Sequence, residues 1–444
     1  MKKPNILVIL TDQQSYKMVS RRCDNNLKTP GIDYLEKNGV SFDRTYCTNP
    51  VCLPSRFSFV TSKYPSYINV RDNHYKDTTT GIKDHIYAEG VGKIFKQNGY
   101  DAVYGGKEHF PGFSAAELGF DIITNDSRET LLHECCEFLK KDRDKPFLMF
   151  ASFVNPHDIC LKAISDFAYT EKEKRVVSVL PKAMEILKGY MQEFNKMDES
   201  EKKSLIDSIK LPDNYEVQKG EAQAIADMLE QDGFRMRARE NYSDADWKIH
   251  RWLYIKLTEL VDLHIDTLLK TLRDTGKEDN TVVIFTSDHG DMDSSHRMEH
   301  KTVLYEESVK VPFIISYKGM KNAGAVDNKH LISNGLDLLP TIYDYAGIEP
   351  QKSLEGSSVK LLAEGIENTP WRKYLKVESK IGDMITDGRY KLVKYFGGKD
   401  SLQFYDIMKQ PLEMENLLTN EEYSQKVQEF SDVYSEYLKQ GYLG

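Results

Sequence analysis

Several apolar runs along the chain stop abruptly at charged or amide residues. "PNILVIL" (4–10) ends at Thr11-Asp12-Gln13, and "DAVYGG" (101–106) ends at Lys107, with His109 two residues on. "PFLMFASFV" (146–154) ends at Asn-Pro-His-Asp, and "NTVVIFTS" (280–287) ends at Asp288-His289-Gly-Asp. "VPFIISY" (311–317) is a fifth such run. Continuous apolar runs without alternation mark strands covered on both faces. Between them lie helical patterns. "TPGIDYLEKNG" (29–39) reads as a short helix with Gly39 as its stop, followed by "VSFDRTYCTN" as a strand. "SRFSFVTS" starts a helix just past Cys-Leu-Pro, and "RETLLHECCEFLKK" makes another. The repeated unit of strand, polar loop and helix predicts an α/β fold with a large, mostly parallel central sheet flanked by helices. In such sheets sites form beyond the carboxyl ends of the strands. Four polar clusters fall there: Asp12-Gln13, Lys107 with His109, His157, and Asp288-His289.

Two regions break the pattern. Residues 165–250 are charge-rich and helical ("EKEKR", "DESEKK", "RMRAREN") and read as an insertion over the sheet edge with solvated faces. "WLYIKLTELVDLHIDTLLKTL" (252–272) then reads as a long amphipathic helix, with His264 as a packing or surface residue. After residue 350 short runs broken by Gly388 and Gly397-Gly398 predict antiparallel strands, closed by a helix over "NEEYSQKVQEFSDVYSEYLKQ". The expected organisation is a catalytic domain over 1–364, carrying the insertion, and a small α+β subdomain with an antiparallel sheet over 365–444.

Composition narrows the function. Hydrophobic residues make up 40% and charged residues 29% of the 444, as in ordinary globular proteins. The net charge of -9 disfavours nucleic acid and anionic membranes, so an anionic substrate must meet a local basic cluster. The six cysteines include no Cys-x-x-Cys pair, which argues against a zinc ribbon or a thioredoxin-type motif, and the size of the chain argues against a disulfide framework. The run at Asn5–Leu10 is too short for the apolar region of a signal peptide, and no stretch is long enough to span a membrane. As written the chain is expected in the cytoplasm, or in the periplasm if a signal was removed.

Asp12, Gln13, Asp288 and His289 together suit a hard divalent cation, the imidazole tilting the set slightly toward manganese or another transition metal. Lys107, His109, His157 and Lys301 supply positive charge and movable protons, as a bound tetrahedral anion requires. Cys52, in "VCLPSR" (51–56), could act as a thiolate, its pKa lowered by a helix N-terminus and Arg56. That reading sits awkwardly beside a hard cation and leaves the cysteine without a dedicated base.

"CLPSR" resembles the Cys-x-Pro-Ser-Arg signature of the type I sulfatases, in the alkaline phosphatase superfamily. "PNILVILTDQQ", "TPGIDYLEKNGVSFDRTYCTNPVCLPSRFSFVTS", "GGKEHF", "NPHD", "TSDHGDMDSSHRMEHKTVLYEESVKVP" and "GRYKLVKYF" follow that family's order, over nearly the whole chain apart from the insertion. The resemblance implies that a maturation enzyme converts Cys52, before folding, to Cα-formylglycine, which exists as a geminal diol. One hydroxyl would attack the sulfur of a sulfate ester; the alcohol leaves, and the second hydroxyl's proton is lost as sulfate is expelled. Arg56 would hold the formylglycine. A divalent cation on Asp12, Gln13, Asp288, His289 and the modified Cys52 would activate it, calcium being expected and manganese or magnesium the alternatives. Lys107 and Lys301 would grip the sulfate, His109 would assist the diol and His157 would protonate the leaving oxygen.

The chain also departs from the family's common pattern. Gln13 and His289 stand where many sulfatases have Asp and Asn, a combination shared with choline sulfatases and phosphonate monoester hydrolases. "TSK" (61–63) replaces the usual Thr-Gly-Arg. By family position Arg71, Asn73, His74, Asp158, Glu299 and His300 are expected at the pocket mouth, where Arg71 and His74 would meet a carboxylate or hydroxyl of a sugar. The leading expectation is a sulfatase acting on a sulfated carbohydrate or a smaller sulfate ester. The alternatives are a phosphonate monoester or phosphodiester hydrolase on the same scaffold, and a non-catalytic anion- or glycan-binding protein with an unmatured cysteine.

Overall fold

The computed structural model describes residues 3–73 and 84–439, so His74 lies outside the described residues. Ten strands build the main body: β1 (Asn5–Asp12), β2 (Gly39–Phe42), β3 (Thr45–Tyr46), β4 (Asp101–Gly106), β5 (Asp121–Thr124), β6 (Phe147–Pro156), β7 (Thr281–Ser287), β8 (Phe313–Ser316), β9 (Ala325–Asp327) and β10 (Ile332–Ser333). Eight of them form one sheet in the order β5-β4-β6-β1-β7-β8-β2-β9, and β3 pairs with β10 beside it. The pairings are parallel except where β8 runs against β7 and β2. This is the large, mostly parallel, helix-flanked sheet that the apolar runs predict.

The run in β1 is apolar on both sides because both sides are covered. Ile6, Val8 and Leu10 enter a core with Phe57, Phe59, Leu338 and Ile342 of the helices α2 (Cys52–Thr61) and Asn334–Ala346. Leu7 and Ile9 enter the opposite core with Val261, Ile265, Leu268 and Leu272 of the long helix Asp244–Asp274. His264 on that helix packs against Phe153 with ring centroids 5.9 Å apart.

The structure corrects three local expectations. The segment after residue 39 is not one strand but β2 and β3, which pair in different sheets. Gly39 ends the helix Pro30–Asn38, yet it is extended (φ -139°) and not left-handed. Its requirement is space: a Cβ there would stand 2.3 Å from the Ile315 carbonyl oxygen. The insertion does not lie over a sheet edge. Its helices form a core with Ile159, Cys160 and Leu161, just past the end of β6, and with Trp247 and Trp252.

Beyond residue 374, β11 (Leu375–Glu378), β12 (Gly382–Thr386), β13 (Tyr390–Tyr395) and β14 (Leu402–Asp406) form an antiparallel meander. The closing helix Ser424–Lys439 covers one face through Phe430, and residues 222–229 of the insertion share a core with the other. No described helix is long and apolar enough to cross a membrane.

Candidate active site

The strand order explains why four distant polar clusters meet. β4, β6, β1 and β7 are consecutive neighbours running the same way, so Lys107, His157, Asp12-Gln13 and Asp288-His289 emerge side by side from one end of the sheet. The N-terminus of α2 points into this row. Cys52 is the first residue of that helix, and all ten residues of the helix are buried. Pro54 is tolerated because N–H groups of a first turn have no helical acceptor. The Leu53 N–H finds one in Asn73 Oδ1, at 3.1 Å.

Cys52 Sγ is ringed by polar atoms. Lys301 Nζ lies at 2.9 Å, His289 Nε2 at 3.2 Å and Asp12 Oδ1 at 3.6 Å. Burial opposes ionisation of the thiol, but Lys107, Lys301 and His289, with a smaller contribution from His109, hold it well below the ordinary range. The helix N-terminus acts in the same direction. Lys107 Nζ reaches Asp12 Oδ2 at 2.7 Å. Burial and the Cys52 charge push Asp12 up, yet Lys107, His157 and Arg56 keep its carboxyl well below the usual value. Asp288 goes the other way, raised by burial and by repulsion from Asp12.

Arg56 is 0% exposed and bridges the two carboxylates. Its Nε donates to Asp288 Oδ2 (2.8 Å) and Nη2 to Asp12 Oδ2 (2.9 Å), while Nη1 donates to the Lys107 carbonyl (2.9 Å) and Ser152 Oγ (2.8 Å). Four of five donors are thereby committed. Beside the unmodified Cys52 the grip of Arg56 is on the two carboxylates.

Donor atoms of Asp12, Cys52, Asp288 and His289 all lie within 4.8 Å of one another. Two buried carboxylates this close, one of them pushed up by the other, are a natural place for a divalent cation. A hydroxyl in place of the sulfur would make the donor set harder and better suited to calcium, manganese or magnesium. Gln13 adds an amide oxygen beside this group. Its Nε2 donates to Asp291 Oδ2 (2.6 Å), which fixes the amide so that Oε1 meets Lys301 Nζ (2.8 Å) and Cys160 Sγ (3.0 Å). Gln13 (φ 67°), His109 (φ 52°) and His300 (φ 70°) all sit in the left-handed region without being glycine, strain of the kind that gathers at functional sites.

The residues expected at the mouth divide differently. Asp158 is fully buried and clasped by Arg128, which corrects its placement at the mouth. Arg71 is committed to Asp383 Oδ1 (2.8 Å) and the Ser379 carbonyl (3.1 Å) of the C-terminal sheet. His300 is buried against Glu299 and the Phe234 ring, and burial, with Arg235 and Lys301, keeps it well below the ordinary histidine value. His157 remains half-buried, on a cleft of about 470 Å³ shared with Lys107 and Arg128.

Several residues here carried no readable role in the sequence. Ser152, which seats Arg56, was visible as the polar exception inside an apolar strand. Arg235 comes from the insertion's helix Gly233–Asn241 and donates to the Lys301 carbonyl at 3.2 Å. It sits in a run read as a solvated face, yet it is only 8% exposed. Asp291, Cys160 and Arg128 carried no local signal of their partners.

Comparison with known proteins gives a consistent result. Residues 4–348 match the family model described as Sulfatase, and residues 294–440 match the one described as N-sulphoglucosamine sulphohydrolase, C-terminal. A Delta 4,5-hexuronate-2-O-sulfatase of Bacteroides thetaiotaomicron is 26% identical, the match covering 98% of this chain and 89% of that one. Among solved structures, a 2-O GAG sulfatase superposes with a TM-score of 0.82 at 25% identity, covering 99% of this chain and 92% of that chain. A phosphonate monoester hydrolase of Agrobacterium radiobacter shares the fold, with a TM-score of 0.72 at 19% identity, covering 99% and 96%.

Proposed function

The chain belongs to the sulfatase family and is a sulfuric ester hydrolase, and from that premise we propose that it removes sulfate from a sulfated carbohydrate at a formylglycine made from Cys52. The observation that carries this reading is the convergence of Lys107, Lys301, His289 and His109 on one buried atom, Cys52 Sγ, at the head of α2. Relatives named for hexuronate and N-acetylglucosamine sulfate esters support the carbohydrate. Because α2 is buried along its full length, no modifying enzyme could reach Cys52 in the folded chain. Conversion therefore precedes folding, and the maturation enzyme reads an unfolded Cys-Leu-Pro-Ser-Arg segment.

A formylglycine at Cys52 would supply a geminal diol as nucleophile, and a divalent cation, calcium foremost, would lower its pKa and polarise the sulfate. Asp12, Gln13, Asp288 and His289 would hold the cation, and Arg56 keeps the two carboxylates in place. Lys107 and Lys301 hold the sulfate oxygens by charge, the largest contribution to stabilising an anionic transition state. His109 moves the proton at the nucleophile, and His157 gives one to the departing oxygen from the cleft side.

Two measurements test this. Intact mass of protein from its native host should show the peptide containing Cys52 about 18 Da light, the difference between cysteine and formylglycine. A panel of sulfated mono- and disaccharides should be turned over faster than phenyl phosphonate. A full-mass cysteine in active enzyme, or phosphonate cleavage outrunning every sulfate ester, would overturn the proposal.

A further inference from the structure

Asp158 has no place in the expected chemistry except at the mouth, and the structure buries it completely. Its carboxylate is gripped at two points by Arg128, with Nε to Oδ2 at 3.0 Å and Nη2 to Oδ1 at 2.5 Å. Both ends of this clamp are anchored. The Arg128 backbone N–H donates to Asp126 Oδ1 at 2.9 Å, and the Asp158 N–H lies 3.4 Å from Asn155 Oδ1. Burial would raise the Asp158 carboxyl, but the nearby His157 and the grip of Arg128 keep it below the ordinary value, so it stays an anion. His157 Nδ1 stands 3.9 Å from Asp158 Oδ1, is itself buried, and has no other partner among the described residues. His157 borders the cleft with Lys107.

We propose that Arg128 and Asp158 are positioning residues that hold the His157 ring, the carboxylate accepting the Nδ1–H so that Nε2 faces the cleft. The carboxylate of this ion pair stands beside a buried nitrogen of a neighbouring histidine that borders the cleft. The gap of 3.9 Å is longer than a hydrogen bond, and a small turn of the ring closes it, as catalytic contacts do when substrate binds. The balance is simple. As the S–O bond to the alcohol breaks, the Nε2 proton passes to the departing oxygen, and the imidazole left behind keeps its Nδ1 proton on Asp158. A carboxylate that fixes a histidine's tautomer in this way is a recurring device. The inference rests on the reading of His157 as the proton donor given above.

The test uses the matured full-length enzyme labelled with ¹⁵N-histidine, with the His157 signals identified by their loss in His157→Gln. Wild type should show neutral His157 protonated at Nδ1, and Asp158→Asn should shift the proton to Nε2. On a sulfated monosaccharide, Asp158→Asn should lower kcat by about 10- to 100-fold with KM near wild type. Arg128→Lys keeps the charge but gives up the two-point grip, and should show the same changes to a smaller degree, so the test does not depend on the Asn variant folding. An unchanged tautomer and unchanged kcat in the folded variants overturn the proposal. If wild type cleaves no sulfate ester, the function reading fails, while the tautomer still decides whether Asp158 holds His157.

Discussion

Of two buried charge networks in this molecule, one looks like chemistry and the other like support for the fold. In the C-terminal part, Lys391 on β13 is 0% exposed and sits 2.7 Å from Glu413 Oε1 and 3.2 Å from Glu306 Oε1. Tyr46 donates to the other oxygen of Glu306, at 3.0 Å, and the Glu306 N–H donates to Glu413 Oε2, at 2.8 Å. Anions outnumber the cation there, and the surplus is relieved locally: burial raises Glu413 to about 7. At the strand ends the surplus has the opposite sign. Arg56, Lys107 and Lys301 face Asp12 and Asp288, and the excess positive charge is aimed at Cys52 Sγ. A buried ion pair is weak evidence of purpose. An imbalance left standing and directed at one atom is stronger.

Exchanging the lysines should separate the two networks most sharply. Lys301→Met removes the cation touching both Cys52 and Gln13, and should cut turnover of a sulfated sugar by about 10²- to 10³-fold in a protein that still folds. Lys391→Met should leave turnover close to wild type and lower the melting temperature instead. Near-normal turnover without Lys301 would end the claim that the surplus charge matters. Next comes Arg56→Met, which takes the arginine from Asp288, leaves Asp12 with Lys107 alone, and should cost about 3–5 kcal/mol in a denaturant titration. Lys391→Met should cost less, about 1–3 kcal/mol, because Glu413 can take up a proton. Equal losses in the two variants would show that relief at Glu413 does not operate.

This asymmetry also explains what was readable in the sequence. Strand-end residues were legible because each interrupts an apolar run that can only be a covered strand, and parallel strands carry their ends to one side. Asp12, Gln13, Lys107, His157, Asp288 and His289 meet for that reason alone. Asp158 was misplaced, and the partner of Arg71 missed, because those partners lie far off in sequence: Arg128 is 30 positions before Asp158, and Asp383 is 312 positions after Arg71. Nothing local distinguishes an arginine that waits for a ligand from one that already has a carboxylate. Arg235 was hidden in another way. In "RMRAREN" one face of a short helix is buried and the rest is not, and the charge run gives no hint which arginine turns inward.

A smaller effect tests the relief at Glu413 through pH. Its folded pKa, about 7, is raised above the ordinary glutamate value of 4.5, chiefly by burial. The folded state therefore binds more protons than the unfolded one between those values. The associated stability is fully present below about pH 4.5 and is lost as pH rises through about 7. Wild type should lose roughly 2–3 kcal/mol more than Glu413→Gln between pH 5 and pH 8, read as the change in melting temperature. Parallel curves for the two proteins would mean that Glu413 stays ionised throughout.

The smallest effect concerns an uncharged position just past the helix that carries Cys52 and Arg56. Ser62 follows α2 in the left-handed region (φ 52°), where glycine rests without strain. The departure from the usual Thr-Gly-Arg therefore has a physical cost, and the side chain offsets it. Ser62 Oγ donates to the Leu336 carbonyl at 2.6 Å and accepts from the Gly356 N–H at 3.1 Å, tying α2 to the helix Asn334–Ala346. Ser62→Gly trades strain for those bonds and should change stability by less than about 1 kcal/mol. Ser62→Ala keeps the strain, strands both partners and should cost about 1–2 kcal/mol. Both should retain turnover in protein already carrying the modification, because neither alters charge near Cys52. A fall in the fraction of Cys52 converted, read by mass, with unchanged turnover per converted molecule, would place Ser62 in recognition of the unfolded segment and not in the chemistry of the folded site.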